Sequence, residues 1–234
     1  MELAWVIGVL TMAAGVACVS ASNFGYSMIV APAYLLFARL GGAITFGTAE
    51  YILQGFLLLV MCLAVRRFTW RYLWAFATAV IYGYTFDGML WIVGKLGIAG
   101  LGARIAAFAV GTMFISISVA LFVRTYIAPE VYELFVKELA RVYRIEFGKV
   151  KFCYDCTSCT VSIILSVLMF GWGAFEHFTA AGFGKAVLDG YILEGIGIGT
   201  IAAALVNGPL ITLCGKWLDR RFAFTKNEKI AKWF

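Results

Sequence analysis

The sequence predicts an all-α, polytopic membrane protein. Six transmembrane helices form two inverted three-span repeats, each with one short helix that does not span. Three observations lead there. Of 234 residues, 63% are apolar and 14% charged, too little polar surface to coat a soluble globule of that size. Charge-free runs recur at residues 3–38, 51–65, 72–86, 105–123, 156–175 and 195–215, several of them near the roughly 20 residues that cross a ~30 Å hydrocarbon core as a helix. Only three prolines occur, and the runs lack the short polar/apolar alternation of a barrel.

The first run is longer than one crossing needs. It reads as a spanning helix over 3–20, a polar turn from Ser20 to Gly25, and a piece over 27–40 around Pro32. That piece is too short to span at about 1.5 Å per residue, which leaves a re-entrant or interfacial helix. The remaining spans read as 48–65, 72–94, 104–123, 152–175 and 194–217. Val19-Ser20-Ala21 has the small residues of a cleavage site, but the chain opens Met1-Glu2-Leu3 with no Lys or Arg before Arg39. The first helix is therefore expected to be retained.

Orientation follows from the basic residues, which accumulate in cytoplasmic loops. With six spans and the N-terminus inside, 15 of the 19 Lys and Arg fall on the cytoplasmic side and only Arg39, Lys95, Arg104 and Lys185 opposite. This predicts a bacterial cytoplasmic (inner) membrane protein with both termini inside. The net charge of +6 is then accounted for by anionic inner-leaflet lipid, and no nucleic acid is called for.

Two correspondences divide the chain. The first helix, its turn, Pro32 and the short segment through Arg39 match the fourth helix, Pro129 and the segment from Glu130 to Arg144. Residues 76–83 also lie over 201–208 without gaps, ending on Gly83 and Gly208. The expected units are 1–98, 99–218 and a basic tail, 219–234. An odd number of spans per half makes the repeats inverted. The run Glu194-Gly195-Ile196-Gly197-Ile198-Gly199-Thr200, followed by Asn207-Gly208-Pro209, and the turn at Pro129 resemble the YczE/YitT-like group of small bacterial integral membrane proteins. Tyr84 stands where a Gly-Pro copy of the motif would put proline. The resemblance implies a membrane fold but brings no substrate and no catalytic residue.

Glycine and proline mark candidate interruptions at Gly83 and Gly88 in the third span and Gly208 and Pro209 in the sixth. Breaks at matching places in two halves point to a midplane site; close packing by small residues is the plainer alternative. Ionisable groups in apolar spans are sharper signals, since a central carboxylate costs about 3 kcal/mol on insertion scales. Glu50, Gln54, Asp87, Asp155, Glu194 and Asn207 are the transport-pathway candidates. Glu50, Asp87 and Glu194 are expected toward the outside, forming a vestibule for a cationic or zwitterionic solute or relaying protons, and Asp155 toward the cytoplasm. For Glu50 and Asp155, capping of helix starts is the competing role.

Cys153, Cys156 and Cys159 are spaced like part of a cluster-binding run, but on a helix they fan across one face and no suitable fourth Cys follows closely. Packing residues are the favoured reading, with no metal and no cofactor assigned. The single histidine, His177, allows no His-based zinc site; Gly-x-Ser-x-Gly and Walker patterns are absent, so no enzyme is expected. The segment 129–144 reads as an amphipathic helix lying at the inner interface. The expected function is a permease for a small solute working by alternating access, with lipid, a small molecule or ion, and a second copy of the chain as admissible partners. A ligand-binding subunit of a vitamin-uptake system and a membrane scaffold or regulator are the alternatives.

Overall fold

The computed structural model describes residues 1–41, 43–171 and 192–225. Among them are eight helices: α1 (Glu2–Ser22), α2 (Ala31–Arg39), α3 (Phe46–Val65), α4 (Arg71–Gly94), α5 (Leu101–Val123), α6 (Val131–Tyr143), α7 (Phe147–Phe170) and α8 (Ile198–Arg221). No strand occurs among the described residues, only a single bridge between Leu193 and Ile196. Six helices, all but α2 and α6, are long and apolar enough to cross a membrane. Their outer surface suits lipid rather than water: Leu63 and Leu168 are 77% and 75% exposed. The end of the fifth expected span, Glu176, His177, Lys185 and residues 226–234 of the tail lie outside the described residues.

Contacts at helix ends define two faces. On the first, the Met1 amino group donates to the Thr225 carbonyl, Tyr126 donates to Glu2, and Arg124 grips Asp219 through two 2.6 Å bonds. This is the terminal face. On the far face, Arg104 donates to the carbonyls of Ser22 and Asn23 at 2.7 and 2.8 Å. A cation there meets the orphan carbonyls and negative dipole end of α1.

The short helices begin inside the bundle. After α1 the chain turns at Asn23, which takes a left-handed conformation with φ 59°, as Asn does at helix C-termini. It then passes under the start of α8, where a Cβ on Gly25 would sit 2.2 Å from the Gly197 nitrogen. Thr200 and Gly199 fasten this passage by donating to the carbonyls of Tyr26 and Phe24 at 2.6 and 2.8 Å. Pro32, in the first turn of α2, suits a position whose N–H would have no helical partner.

The segment between α5 and α6 does the same from the terminal face. Thr78, seven residues into α4, donates to the Ala128 carbonyl at 3.0 Å. The Val131 N–H donates to Gln54 Oε1 at 3.0 Å, and Gln54 lies about 12 Å along α3 at 1.5 Å per residue. The start of α6 is therefore midway through the bundle, and its end returns to the terminal face. This corrects the expectation of a helix lying on the inner interface: Glu133 and Glu138 are buried. In a membrane bundle the polar stripe of a short helix turns inward toward protein partners, because lipid offers it none.

α2 and α6 fill the space between α3 and α7. α2 packs on both, and so does α6. α1 and α5 cross at the centre on bare backbone: a Cβ on Gly15 would lie 2.8 Å from the Gly111 carbonyl oxygen, and one on Gly111 would lie 2.7 Å from that of Gly15. α4 packs against α1, and α8 against α5.

Candidate functional site

Both short helices aim their N-termini at one buried cavity. Its volume is about 30 Å³, and Val30 and Glu130, the residues that precede α2 and α6, both line it. Met12 and Val16 of α1, Ile115 and Val119 of α5, and Ile211 of α8 supply apolar walls. Ser27, Tyr82, Tyr132, Glu133, Lys151 and Asn207 supply polar groups.

The polar groups bond in two clusters. In the first, Tyr132 donates to Glu50 Oε2 at 2.9 Å, while Gln54 accepts from the Val131 N–H. Glu50 and Gln54 are one helical turn apart, so both face α6. In the second, Lys151 pairs with Glu133 at 2.8 Å and with Asp155 at 3.3 Å. All three side chains are at most 5% exposed. Removing one member of such a pair costs about 3–5 kcal/mol, because the partner is left charged and buried.

Several acceptors remain without a hydrogen-bond partner: Glu50 Oε1, Glu130 Oε1, Glu133 Oε2 and Asn207 Oδ1. Each buried polar atom left so costs about 1–3 kcal/mol. Such atoms are seldom kept without use, and here three of their residues share one cavity wall.

Of the candidates read from the sequence, Glu50, Gln54, Asp155 and Asn207 come together at the centre. Asp87 and Glu194 do not. Asp87 accepts from Thr45 Oγ1 at 2.8 Å and the Gly47 N–H at 2.9 Å, closing the start of α3 as a capping carboxylate does. Glu194 accepts from the Tyr34 hydroxyl at 2.9 Å, holding α2 to the approach of α8. The two belong to separate helix-end contacts on the far face, and Glu50 lies deeper, so the outer vestibule expected from these three carboxylates does not form.

The expected interruptions also fall elsewhere. α4 and α8 are helical throughout, across Gly83, Gly88, Gly208 and Pro209. Gly83 instead lets α3 approach: a Cβ on Gly47 would lie 2.3 Å from its carbonyl oxygen. The chain breaks its spanning geometry at 23–30 and 124–130, where polar and proline-containing turns meet partners inside the bundle.

Cys153 and Cys156 are exposed and Cys159 is half-buried on α7. Among the described residues no three His, Cys, Asp or Glu side chains come together as a metal site would require. Cys153 lines an apolar cleft of about 560 Å³ between α3 and α7, with Phe56 and Leu57 opposite and Phe135 and Leu139 at one end. Tyr132 and Ile29 line both the cleft and the cavity.

Glu130, Tyr132, Glu133 and Lys151 were not singled out by the sequence. For the first three the signal is the correspondence between the Pro32 and Pro129 segments: if the first dips into the membrane, so should the second.

Residues 2–216 match the family described as "Family of unknown function (DUF6198)". The chain belongs to that family. Its description does not mention the YczE/YitT-like group that the glycine-rich run resembles. No curated protein and no solved structure matches. For this DUF6198 chain, then, the cavity and its side chains are what bear on function.

Proposed function

We propose that this protein is a permease for a small solute, in which the cavity between α2 and α6 is the binding site and two inverted halves alternate access to it. The observation that carries this reading is the meeting of two short helices, entering from opposite faces, at a buried cavity lined by apolar side chains together with Ser27, Tyr82, Glu130, Lys151 and Asn207. Irregular backbone at membrane depth is tolerated where it is buried in protein or lines a cavity, and helix N-termini at the midplane mark solute sites.

Exchange of the halves, α1–α4 for α5–α8, supports the inversion. The α1–α5 crossing is self-complementary at Gly15 and Gly111, and α2 on α7 exchanges with α6 on α3. Tyr82 and Asn207, equivalent in the ungapped match of 76–83 with 201–208, both line the cavity. Phe46-Gly47 and Phe147-Gly148 open α3 and α7, and that register puts Glu50 over Lys151 and Gln54 over Asp155. The concentration of basic residues on the terminal face favours a cytoplasmic placement of both termini.

The test is a thermostability screen of purified protein against small metabolites and ions, followed by proteoliposome flux for each hit. The expected result is saturable flux that falls at least tenfold in N207A. Flux no higher than in protein-free liposomes for every stabilising solute would overturn the reading.

A further inference from the structure

The apolar cleft between α3 and α7 is a groove in the outer surface of the bundle at membrane depth. Its walls are two spanning helices, with α2 and α6 packed between them. α3 contributes Leu53, Phe56, Leu57 and Val60, whose spacing of three and four makes one helix face. α7 lines the cleft from Val150 to Leu165, about 22 Å at 1.5 Å per residue. That exceeds the ~15 Å that one leaflet contributes to a ~30 Å hydrocarbon core. The hydroxyls of Thr157 and Tyr132 are already bonded within the protein, to the Cys153 carbonyl at 2.8 Å and to Glu50. A water in such a groove finds few of the two to four polar partners it needs, whereas hydrocarbon restores the dispersion contacts that an empty groove forfeits.

At the terminal face the walls of the cleft end in cations. α3 ends on Arg66 and α6 on Arg144, both left-handed with φ 52° and 56°, a conformation usually given to glycine or asparagine. Arg67 follows the first, and Lys149 directly precedes Val150; all four cations are exposed. The one acid in these two turns is Glu146, 3.8 Å from Lys149, and among the described residues Arg66, Arg67 and Arg144 make no ion pair. A second copy of the chain laid on this groove about a twofold axis would bring the same cations to the same rim, where like charges repel. An anionic lipid brings the opposite charge, and basic clusters at the ends of spanning helices hold such headgroups.

We propose that the cleft between α3 and α7 is a binding site for an anionic phospholipid. One acyl chain lies along α7 from Val150 toward Leu165, and the phosphate sits at the rim between the Arg66–Arg67 turn and Arg144. Tyr132 and Ile29 line both the cleft and the central cavity, so the chain backs the wall that these two side chains make and seals the cavity laterally. The site needs only the membrane bundle and stands apart from the permease reading.

Two thiols report on the site, since Cys153 lines the cleft and Cys156, also exposed, does not. The whole protein in detergent micelles is alkylated with N-ethylmaleimide in the presence of dioleoyl phosphatidylglycerol or dioleoyl phosphatidylcholine at equal mole fraction, and each thiol is followed by peptide mass spectrometry. At ten times Kd, phosphatidylglycerol is expected to slow Cys153 about tenfold relative to Cys156 and to raise the unfolding midpoint by about 3–6 °C over phosphatidylcholine. R66Q with R144Q is expected to remove the difference between the two lipids. If that variant fails to fold, T157W, which places a bulky ring in the cleft, carries the comparison and should lose the phosphatidylglycerol effect. Equal alkylation of Cys153 in the two lipids would overturn the proposal. So would protection of Cys153 without any lipid: if dilution of the protein relieves it, a second copy covers the cleft, and if dilution does not, another segment of the same chain does.

Discussion

The acids of the far face and those of the centre are the same residue types in the same bundle, yet they do different things. Asp87 uses both oxygens on the start of α3, and Glu194 holds Tyr34. Each is half-buried and fixes a helix end. Glu50, Glu130 and Glu133 are at most 4% exposed, and each retains an oxygen that nothing in the protein bonds. A carboxylate near a helix end is most readily used as a cap, whereas one buried at membrane depth with spare acceptors is costly unless a ligand meets it. The lesson is that partnering, more than placement in an apolar run, separates acids with spare acceptors from those that fix helix ends.

The contrast is most sharply broken at Lys151. K151M should lower stability by about 3–5 kcal/mol, since Glu133 and Asp155 would lose their cation. Unfolding monitored by heat or denaturant would show it, and the added substitution E133Q should recover a substantial part. A K151M protein as stable as the parent would mean that the central charges are not paired as described. Next in size is G111A at the α1–α5 crossing. Its Cβ meets backbone that must move apart, an overpacking cost of about 1–3 kcal/mol.

On the far face, D87A removes two bonds at a helix start and should cost about 1 kcal/mol while leaving any ligand-induced rise in the unfolding midpoint unchanged. Loss of that rise in D87A would erase the distinction between the two groups of acids. The smallest effect is expected from C153S with C156S, within about 0.5 kcal/mol as for exposed substitutions generally. The unfolding midpoint should also be insensitive to a chelator.

Much of the architecture could be read before the structure because apolar run length is a local property. The predicted span 72–94 differs from α4 by one residue, and the end of α5 at Val123 agrees with the reading. α7 begins at Phe147, five residues before the expected Phe152, because Lys149 and Lys151 looked like loop charges. Lys151 is tolerated inside the bundle only through Glu133, eighteen positions away, and Asp155. α8 begins at Ile198, four residues after the expected start, because Gly195 takes φ 74° and the chain there bonds to the segment after α1.

The site was half legible. Glu50, Gln54, Asp155 and Asn207 stand out as polar residues within apolar helices. Glu130 and Glu133 lie in a charged stretch that looks solvated. Periodicity reveals that such a helix has two faces, but the surroundings decide which face turns inward.

The glycine contact between α1 and α5 also has a mechanical meaning. The two backbones meet at Gly15 and Gly111, and in the proposed permease this crossing would serve as the fulcrum. A rock of about 10° about it carries groups one helix spacing away, about 10 Å, through nearly 2 Å, on the scale of known helix shifts. For a chamber of about 30 Å³, a displacement of that size would be the difference between shut and open in the proposed permease.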